Sequence, residues 1–292
     1  MGEFIQLVVT GLTTGAIYAL AAIGFTLLWQ TSQTINFAQG EFVMLPAFFA
    51  LAAMNVVGLP FSLAALVAIA LSVLVLGVVF KTVVVDPLIR QGVLPLVIST
   101  IAVALLLKDG VKEVYSAEAQ PFPSFMPDTV VTVLGTPVSL SQLGVLAVAL
   151  AVIAALQWFL GGTRTGRQMQ ATAQNPTVAR ILGVPVERMV MYTFVINATL
   201  AAVASLLISP IYLAKFSNGE HLGLAAFVAA IVGGFNQVRG AIAGGLLVGV
   251  VDNLAAAYVS AAYRQAVPLA LLVLIILFRP QGLLGRREER AV

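Results

Sequence analysis

Apolar residues fill this chain in long unbroken runs instead of alternating with polar ones. Four stretches carry no Asp, Glu, Lys or Arg: Phe4–Gly40, Phe42–Phe80, Thr129–Thr163 and Met189–Ala214. A helix needs about 20 apolar residues to cross a bilayer, so the second stretch has room for two passes. Continuous runs exclude a membrane β-barrel, whose strands alternate. They predict an all-α, polytopic bundle in a single membrane domain over residues 1–292.

Nine spans are expected: Phe4–Trp29, Phe42–Leu59, Phe61–Phe80, Leu96–Leu107 continuing through Lys108, Gln142–Leu160, Val190–Leu213, His221–Phe235, Ala241–Ser260 and Ala266–Phe278. The count falls to eight if Gln30–Leu59 is one broken or re-entrant element. Lys81–Pro95 reads as a short loop. Glu113–Ser141 reads as a long one, broken by Pro121, Pro123, Pro127 and Pro137 and carrying Glu113, Glu118 and Asp128. Within it, the alternating run before Leu134-Gly135-Thr136-Pro137 has the signature of a small hairpin. The apolar start lacks a cationic leader region and reads as a retained span.

Composition agrees. Charged residues make up 9% and hydrophobic residues 60%, with a mean hydropathy of +1.04. A soluble domain carries about 25% charged residues. With no Cys and one His there is no thiolate site and no multi-histidine metal site. A net charge of +3 spread over loops points to no nucleic-acid partner.

Cation placement orients the chain. Lys81, Arg90, Arg164, Arg167, Arg180, Arg188, Arg239, Arg279, Arg286, Arg287 and Arg290 fall on one side, and Lys108, Lys112, Lys215 and Arg264 on the other. The first group faces the cytoplasm by this rule. The C-terminus then lies inside, and the N-terminus and the Pro-rich loop lie outside.

One segment stands apart: Gly161–Met189, polar and basic, with Arg164, Arg167, Arg180 and Arg188 against the single acid Glu187. Asn175-Pro176 is a helix start, because Asn accepts from free N–H groups and Pro suits the first helical position. About two turns, Pro176–Leu182, follow. Gly183 ends them with φ > 0 and Pro185 prevents resumption. A longer basic helix is expected around Gly166–Gln174. A two-turn helix is marginal alone in water, so it calls for a partner surface. Anchoring of the Arg residues at anionic lipid head groups explains the charge but not the capped helix.

Two groups of polar residues fall within the apolar stretches, where ionisable side chains usually face a cavity. Asn36, Gln39, Gly40 and Glu41 form one. It is either irregular backbone beside a water-filled route or an interfacial turn in which Glu41 caps the next helix. Asp252 and Asn253 form the other, in the Gly-rich run AIAGGLLVGVVDN. The acid there reads first as the acceptor of a structural hydrogen bond and second as a substrate contact. No Gly precedes any of the four lysines, so there is no Gly-Lys-Ser/Thr phosphate loop. No nucleophile–base cluster is visible, and His221 beside Glu220 reads as an interfacial pair.

The run TGRQMQATAQNPTVARILGVPVERMVMYTFVINATLAAVA resembles the coupling region of LivH-type permeases from ABC importers of the branched-chain amino acid class. GLTTGAIYALAAIGFTLL with INFAQGEF, VGGFNQVRGAIAGGLLVGVVDN and the closing FRPQGLLG are similar to the same family, in collinear order. Gln170 stands where members often have Arg, Phe235–Arg239 replaces a small turn, and Asp252 stands where Glu is common.

The resemblance implies a non-enzymatic permease subunit of the bacterial cytoplasmic (inner) membrane. Its loop around Arg164, Arg167, Asn175, Pro176, Arg180, Gly183 and Arg188 would dock into two cytoplasmic ABC ATPases. It implies a LivM-type sister permease in a heterodimer, and a periplasmic or extracellular substrate-binding protein. ATP and Mg would be used by the ATPases, with no cofactor bound by this chain. Branched-chain amino acids are the implied substrate, with urea, short amides or aromatic carboxylates as alternatives. A stand-alone secondary transporter or channel is the competing class. It would need mid-membrane acids, for which Asp252 and Glu41 are available, and would leave the capped loop without a use. A membrane-embedded enzyme lacks a catalytic cluster. The orientation has a direct test: a cytoplasm-only reporter fused after Val292 is expected to be active and one inserted near Ser124 silent, and the reverse pattern refutes the assignment.

Overall fold

The computed structural model describes residues 2–33, 35–89, 91–127, 129–133, 136–260, 263–264 and 266–285. Arg90, Asp128, the Leu134-Gly135 turn, Arg286, Arg287 and Arg290 of the sequence reading lie outside them.

Among the described residues the chain is almost entirely helical. Six helices are long and apolar enough to cross a membrane: α1 (Gly2–Ser32), a rod Phe61–Ile89, α5 (Val93–Tyr115), α6 (Leu140–Gly162), α9 (Val186–Tyr212) and α11 (Val238–Tyr258). Ala266–Phe278 (α12) is a shorter apolar helix, and helices α2 (Gln39–Asn55) and α10 (Asn218–Gly233) lie over the expected spans Phe42–Leu59 and His221–Phe235 without the length to cross on their own. Two small helices, α7 (Arg164–Gln174) and α8 (Pro176–Ile181), fill the basic segment. The hairpin forms as β1 (Val130–Val133) and β2 (Thr136–Ser139), antiparallel with Val130 opposite Ser139.

The rod corrects one expectation. Lys81–Ile89 is not a loop: α3 (Phe61–Ser72) runs on through π-helical turns at Val73–Val79 and Lys81–Val85 into α4 (Asp86–Ile89). A cation stops a helix only if it cannot be solvated or paired. Here Lys81, 8% exposed, donates to Asp86 Oδ2 at 2.8 Å within the same rod. The chain turns after Ile89, near Gly92 with φ +111°.

α1 is the central post, buried without a break from Thr13 to Leu28. It packs chiefly on α11, with α9 and α10 beside it. Small residues make this contact possible. Gly11 and Gly15 on α1 face Gly245 and Gly249 on α11, each pair spaced by four residues. A Cβ on Gly11 would come within 2.7 Å of Val250 Cα, one on Gly15 within 2.8 Å of the Gly245 carbonyl oxygen, and one on Gly249 would enter the Gly15 backbone. In lipid, helices gain little from burying apolar surface, so close backbone approach and its dispersion contacts hold them together.

α2 runs alongside α9 in the same direction. Gln39 meets Asn197, and eight residues on in both helices Ala47 N–H donates to Ser205 Oγ at 3.0 Å. Pro46 interrupts the hydrogen-bond ladder of α2 at that point. Asn197 lies about 22 Å along the axis from Tyr212 at 1.5 Å per residue, so α2 begins deep inside the bundle.

Contacts sort the connections into two ends. At one, Gly2 lies against Thr136, Gln120 pairs with Ala214, and Phe61 packs on Phe122 and Phe125. At the other, Gln30 Nε2 donates to the Asn236 carbonyl at 2.6 Å, and the N–H groups of Leu283 and Leu284 bond the carbonyls of Val232 and Gly233. α7, packed on α6, α1 and α9, belongs to this second end. The basic segment, Arg239 and Arg279 therefore share an end opposite the Pro-rich loop, as the cation grouping requires. Gly249→Ile should destabilise the bundle by about 3 kcal/mol, the upper range for overpacking a tight core. Thermal unfolding of the purified protein checks this, and an unchanged melting temperature would refute the backbone contact.

Candidate functional site

At the basic end the local chemistry settles the shape of the segment. Thr163 accepts from Gly166 N–H at 3.0 Å and caps α7, which starts at Arg164, two residues earlier than expected. Gly166, Met169 and Thr172 form its buried face. A Cβ on Gly166 would strike the Phe159 carbonyl, so α7 folds tightly onto the end of α6. Gln170 Nε2 donates to the Leu160 carbonyl at 3.1 Å and closes that helix end.

Asn175 Oδ1 accepts from Val178 N–H at 3.0 Å, and Pro176 opens α8. Gly183, at φ +81°, ends it, its N–H bonding the Arg180 carbonyl at 3.0 Å while Val184 N–H bonds Ala179. Leu182 thus caps the helix instead of belonging to it. Arg164, Arg167, Arg180 and Arg188 are all exposed. So are three apolar side chains: Val178 is 48% exposed, Ile181 79% and Leu182 75%. α8 and its cap therefore expose apolar side chains together with Arg180, with the other exposed cations on the adjoining helices α7 and α9.

Deep in the bundle, the start of α2 gathers Asn36, Gln39, Gly40 and Glu41, all buried. Gln39 and Asn197 form a reciprocal amide pair: Gln39 Nε2 donates to Asn197 Oδ1 at 2.8 Å, and Asn197 Nδ2 returns a bond to Gln39 Oε1 at 2.9 Å. The pair lies over Gly24, where a Cβ would collide with both side chains. Asn36 Oδ1 accepts from Ala38 N–H at 3.0 Å and holds the turn into the helix.

Gly40 touches the backbone of Gly219 and Gly223, bringing the first turns of α2 and α10 together. The Glu41 carboxylate lies against Gly219. It makes no cap on α2, and its Oε2 and the Nδ2 of Asn36 are buried without a hydrogen-bond partner among the described residues. Glu41 does stand in the first turn of α2, as the helix-start reading expects, but it makes no capping hydrogen bond. The acid is 5% exposed, at the meeting of two helix starts inside the bundle.

Asp252 and Asn253, though adjacent, serve different contacts. Asn253 Nδ2 donates to Thr14 Oγ1 at 2.9 Å and to the Gly249 carbonyl, reinforcing the α1–α11 seam. Asp252, 2% exposed, accepts from Arg264 Nε at 3.0 Å on both oxygens, from Arg264 Nη2 at 2.9 Å and from Tyr18 O–H at 3.2 Å. Arg264 also donates to Tyr212 O–H and lies over its ring, 5.4 Å from the centroid. The acid's structural partner is thus an arginine from the α11–α12 connection, and the charge is neutralised where it is buried.

Two small cavities flank this cluster. Tyr18 and His221 line both, with Asp252 and Pro268 on one and Tyr212 on the other. His221 is half-buried with an unpartnered Nδ1 instead of standing free at an interface, and Glu220 pairs with Lys108. The first turn of α10 therefore touches both polar groups, through Gly219 at Glu41 and His221 beside Asp252.

Sequence reasoning passed over Asn197, Arg264, Tyr18 and Tyr212. Asn197 carried a signal, as the one amide within Val190–Leu213. Arg264 did not, because its partner is set by how the loop after α11 folds back.

Comparison with known proteins follows this geometry. Residues 7–276 match the family model described as branched-chain amino acid transport system / permease component. The high-affinity branched-chain amino acid transport system permease protein BraD of Pseudomonas aeruginosa is 34% identical, with 99% of this chain and 98% of that protein covered. LivH of Salmonella typhimurium, with the same description, is 32% identical at the same coverage. A probable branched-chain amino acid transport permease protein LivH of Methanocaldococcus jannaschii is 25% identical, covering 91% of this chain and 88% of that one. Among solved structures, a chain of PsaBC from Streptococcus pneumoniae in complex with Fab covers 96% of both chains. Its TM-score is 0.51 at 15% identity, a likeness of fold. This chain belongs to the family of permease components of branched-chain amino acid transport systems.

Proposed function

We propose that this chain is the membrane-spanning permease subunit of an ATP-driven, binding-protein-dependent importer of branched-chain amino acids. The observation that carries the reading is near-full-length likeness to permeases named for that transport, together with the capped α7–α8 element. Nine helices cross or enter the membrane as one permease domain, with the α7–α8 end in the cytoplasm.

In this reading α8 is the coupling helix. Val178, Ile181 and Leu182 insert into a groove of an ABC ATPase, and Arg164, Arg167, Arg180 and Arg188 pair with acids at its rim. Two such ATPases bind ATP and Mg and do the hydrolysis. A LivM-type sister permease completes the pathway, and a periplasmic or extracellular binding protein delivers substrate at the Pro-rich end. Because α7 is clamped to α6 through Gly166 and Gln170, a push on α8 is passed into α6 and α9 as a rigid-body shift.

The deep polar groups supply the path. Glu41, Asn36 and Gly40, beside the Gln39–Asn197 strut, form a polar break in an apolar wall, and weak contacts there suit passage because a tight site would trap the solute. Asp252 and Asn253 support the helices on either side.

Two substitutions test the assignment. Arg180→Glu, or Gly183→Val, which strains the left-handed turn, should lower ATPase co-purification at least about tenfold, since like charges across an interface cost several kcal/mol. Normal pull-down with normal uptake would reject the docking role. Glu41→Gln should leave the complex assembled and slow leucine uptake in proteoliposomes about tenfold, the loss expected when one charged hydrogen bond of at least about 1.5 kcal/mol is removed. Wild-type uptake would remove Glu41 from the path.

A further inference from the structure

Non-glycine residues seldom take a positive φ, and among the described residues three do: Gln33, Ser116 and Leu213. Two of these are tied together. Ser116 ends α5 at φ +72° and ψ 168°, and Leu213 ends α9 at φ +63° and ψ 159°. That backbone region is open almost only to glycine, and a residue with a Cβ stays there only where its surroundings hold it.

The surroundings here are a short stitch between two loops. Gln120 N–H donates to the Ala214 carbonyl at 2.9 Å, and Ala214 N–H returns a bond to the Gln120 carbonyl at 3.0 Å. Ala214 directly follows Leu213 and is 1% exposed. Gln120 lies just past Ser116, at the head of the Pro-rich loop, and its Nε2 donates to the Tyr115 carbonyl at 3.2 Å. Glu118 N–H donates to Ser116 Oγ at 3.1 Å, and Asn218 Nδ2 donates to the Leu213 carbonyl at 2.6 Å. Each turn is held by the loop beyond it, and the two loops hold each other.

The start of α10 hangs on the Leu213 turn. Only residues 214–217 separate Leu213 from Asn218, where α10 begins. Gly219 lies against the Glu41 carboxylate, and the His221 ring lies 6.4 Å from that of Tyr212. Tyr212, the residue before Leu213, accepts a hydrogen bond from Arg264, the partner of Asp252. If Gln120 and Ala214 part, both turns can relax to ordinary backbone, and the relaxing chain at Leu213 carries the first turn of α10 with it. The strain opposes the stitch, so the held arrangement is balanced against a released one.

We propose that the Gln120–Ala214 stitch is a clasp at the outer end of the bundle. Closed, it holds the strained turns at Ser116 and Leu213. Open, it frees the first turn of α10 from Glu41 and Tyr212, and transport requires it to open. This inference rests on the importer reading and assigns a moving part within it.

The chain has no cysteine, so a pair introduced at the stitch stands alone. Opposed residues that exchange two hydrogen bonds lie about 5.5 Å apart at Cα, within reach of a disulfide. Gln120→Cys with Ala214→Cys is built into the complete transporter, with cysteine-free partner subunits, in proteoliposomes. Bond formation is followed by loss of maleimide labelling. Oxidation should form the bond and abolish leucine uptake in the crosslinked fraction, and reductant should restore it. Failure of the bond to form, or full uptake by crosslinked protein, overturns the clasp. A second set of variants reads the strain and decides the matter if the double variant fails to assemble. Ala214→Cys alone is combined with Leu213→Gly or with Leu213→Ala. Both remove the leucine side chain, but only glycine takes the turn without strain. A maleimide reaches the buried position only when the clasp opens, so modification should be about tenfold slower with Leu213→Gly than with Leu213→Ala. Equal rates overturn the clasp. Leucine uptake by the unsubstituted transporter is measured alongside. If that is absent, the importer reading fails. If it is present and crosslinking leaves it untouched, only the clasp fails.

Discussion

The fold hangs on the backbone contact between α1 and α11. Lipid tails are as apolar as leucine, so burying leucine against leucine draws no force from the solvent here. Attraction must come from atoms placed at van der Waals distance over a long seam. Gly11 and Gly15 against Gly245 and Gly249 allow that distance, and the Asn253–Thr14 hydrogen bond sets its register. With α1 fixed, α9 and α10 pack on its remaining faces. The more exposed helices, α5 and α12, sit outside them.

Polar groups buried in this frame are of two kinds. Some are saturated and act as struts. The Gln39–Asn197 pair uses a donor and an acceptor from each amide, and Asp252 is matched by Arg264 and Tyr18. Such pairs do not favour movement, since separating them strands a donor or an acceptor in a low dielectric. Others are left short among the described residues: Thr26 Oγ1, Asn36 Nδ2, Glu41 Oε2, Gln157 Nε2 and His221 Nδ1. Asn36, Glu41 and His221 belong to the starts of α2 and α10, while Thr26 lies on α1 and Gln157 on α6.

The first turn of α10 is the junction of the molecule. Within four residues, Gly219 admits Glu41, Glu220 pairs with Lys108, and His221 and Leu222 face the cavities beside Tyr18. Its far end is tied to the chain's closing segment by the bonds from Leu283 and Leu284. A small tilt of α10 therefore alters the polar contacts at its start and the packing at its end together.

Much of this was legible in the residues. Uncharged runs set the helices, because lipid forces every backbone group to bond within its own segment. Asn175, Pro176 and Gly183 set the small helix, because capping is decided within a few residues. Cation placement sorted the loops into two ends, because charge is expensive to move across a bilayer. What needed the tertiary structure was pairing at a distance. Lys81 looked like a loop residue until Asp86 was seen to neutralise it inside a helix. Glu41 was an acid near a helix start until α10 was brought against it, and Arg264 was a stray external cation until the loop after α11 folded it onto Asp252. Local chemistry is written in the order of the residues, but the partner of a buried charge is chosen by whichever helices the glycines allow to meet.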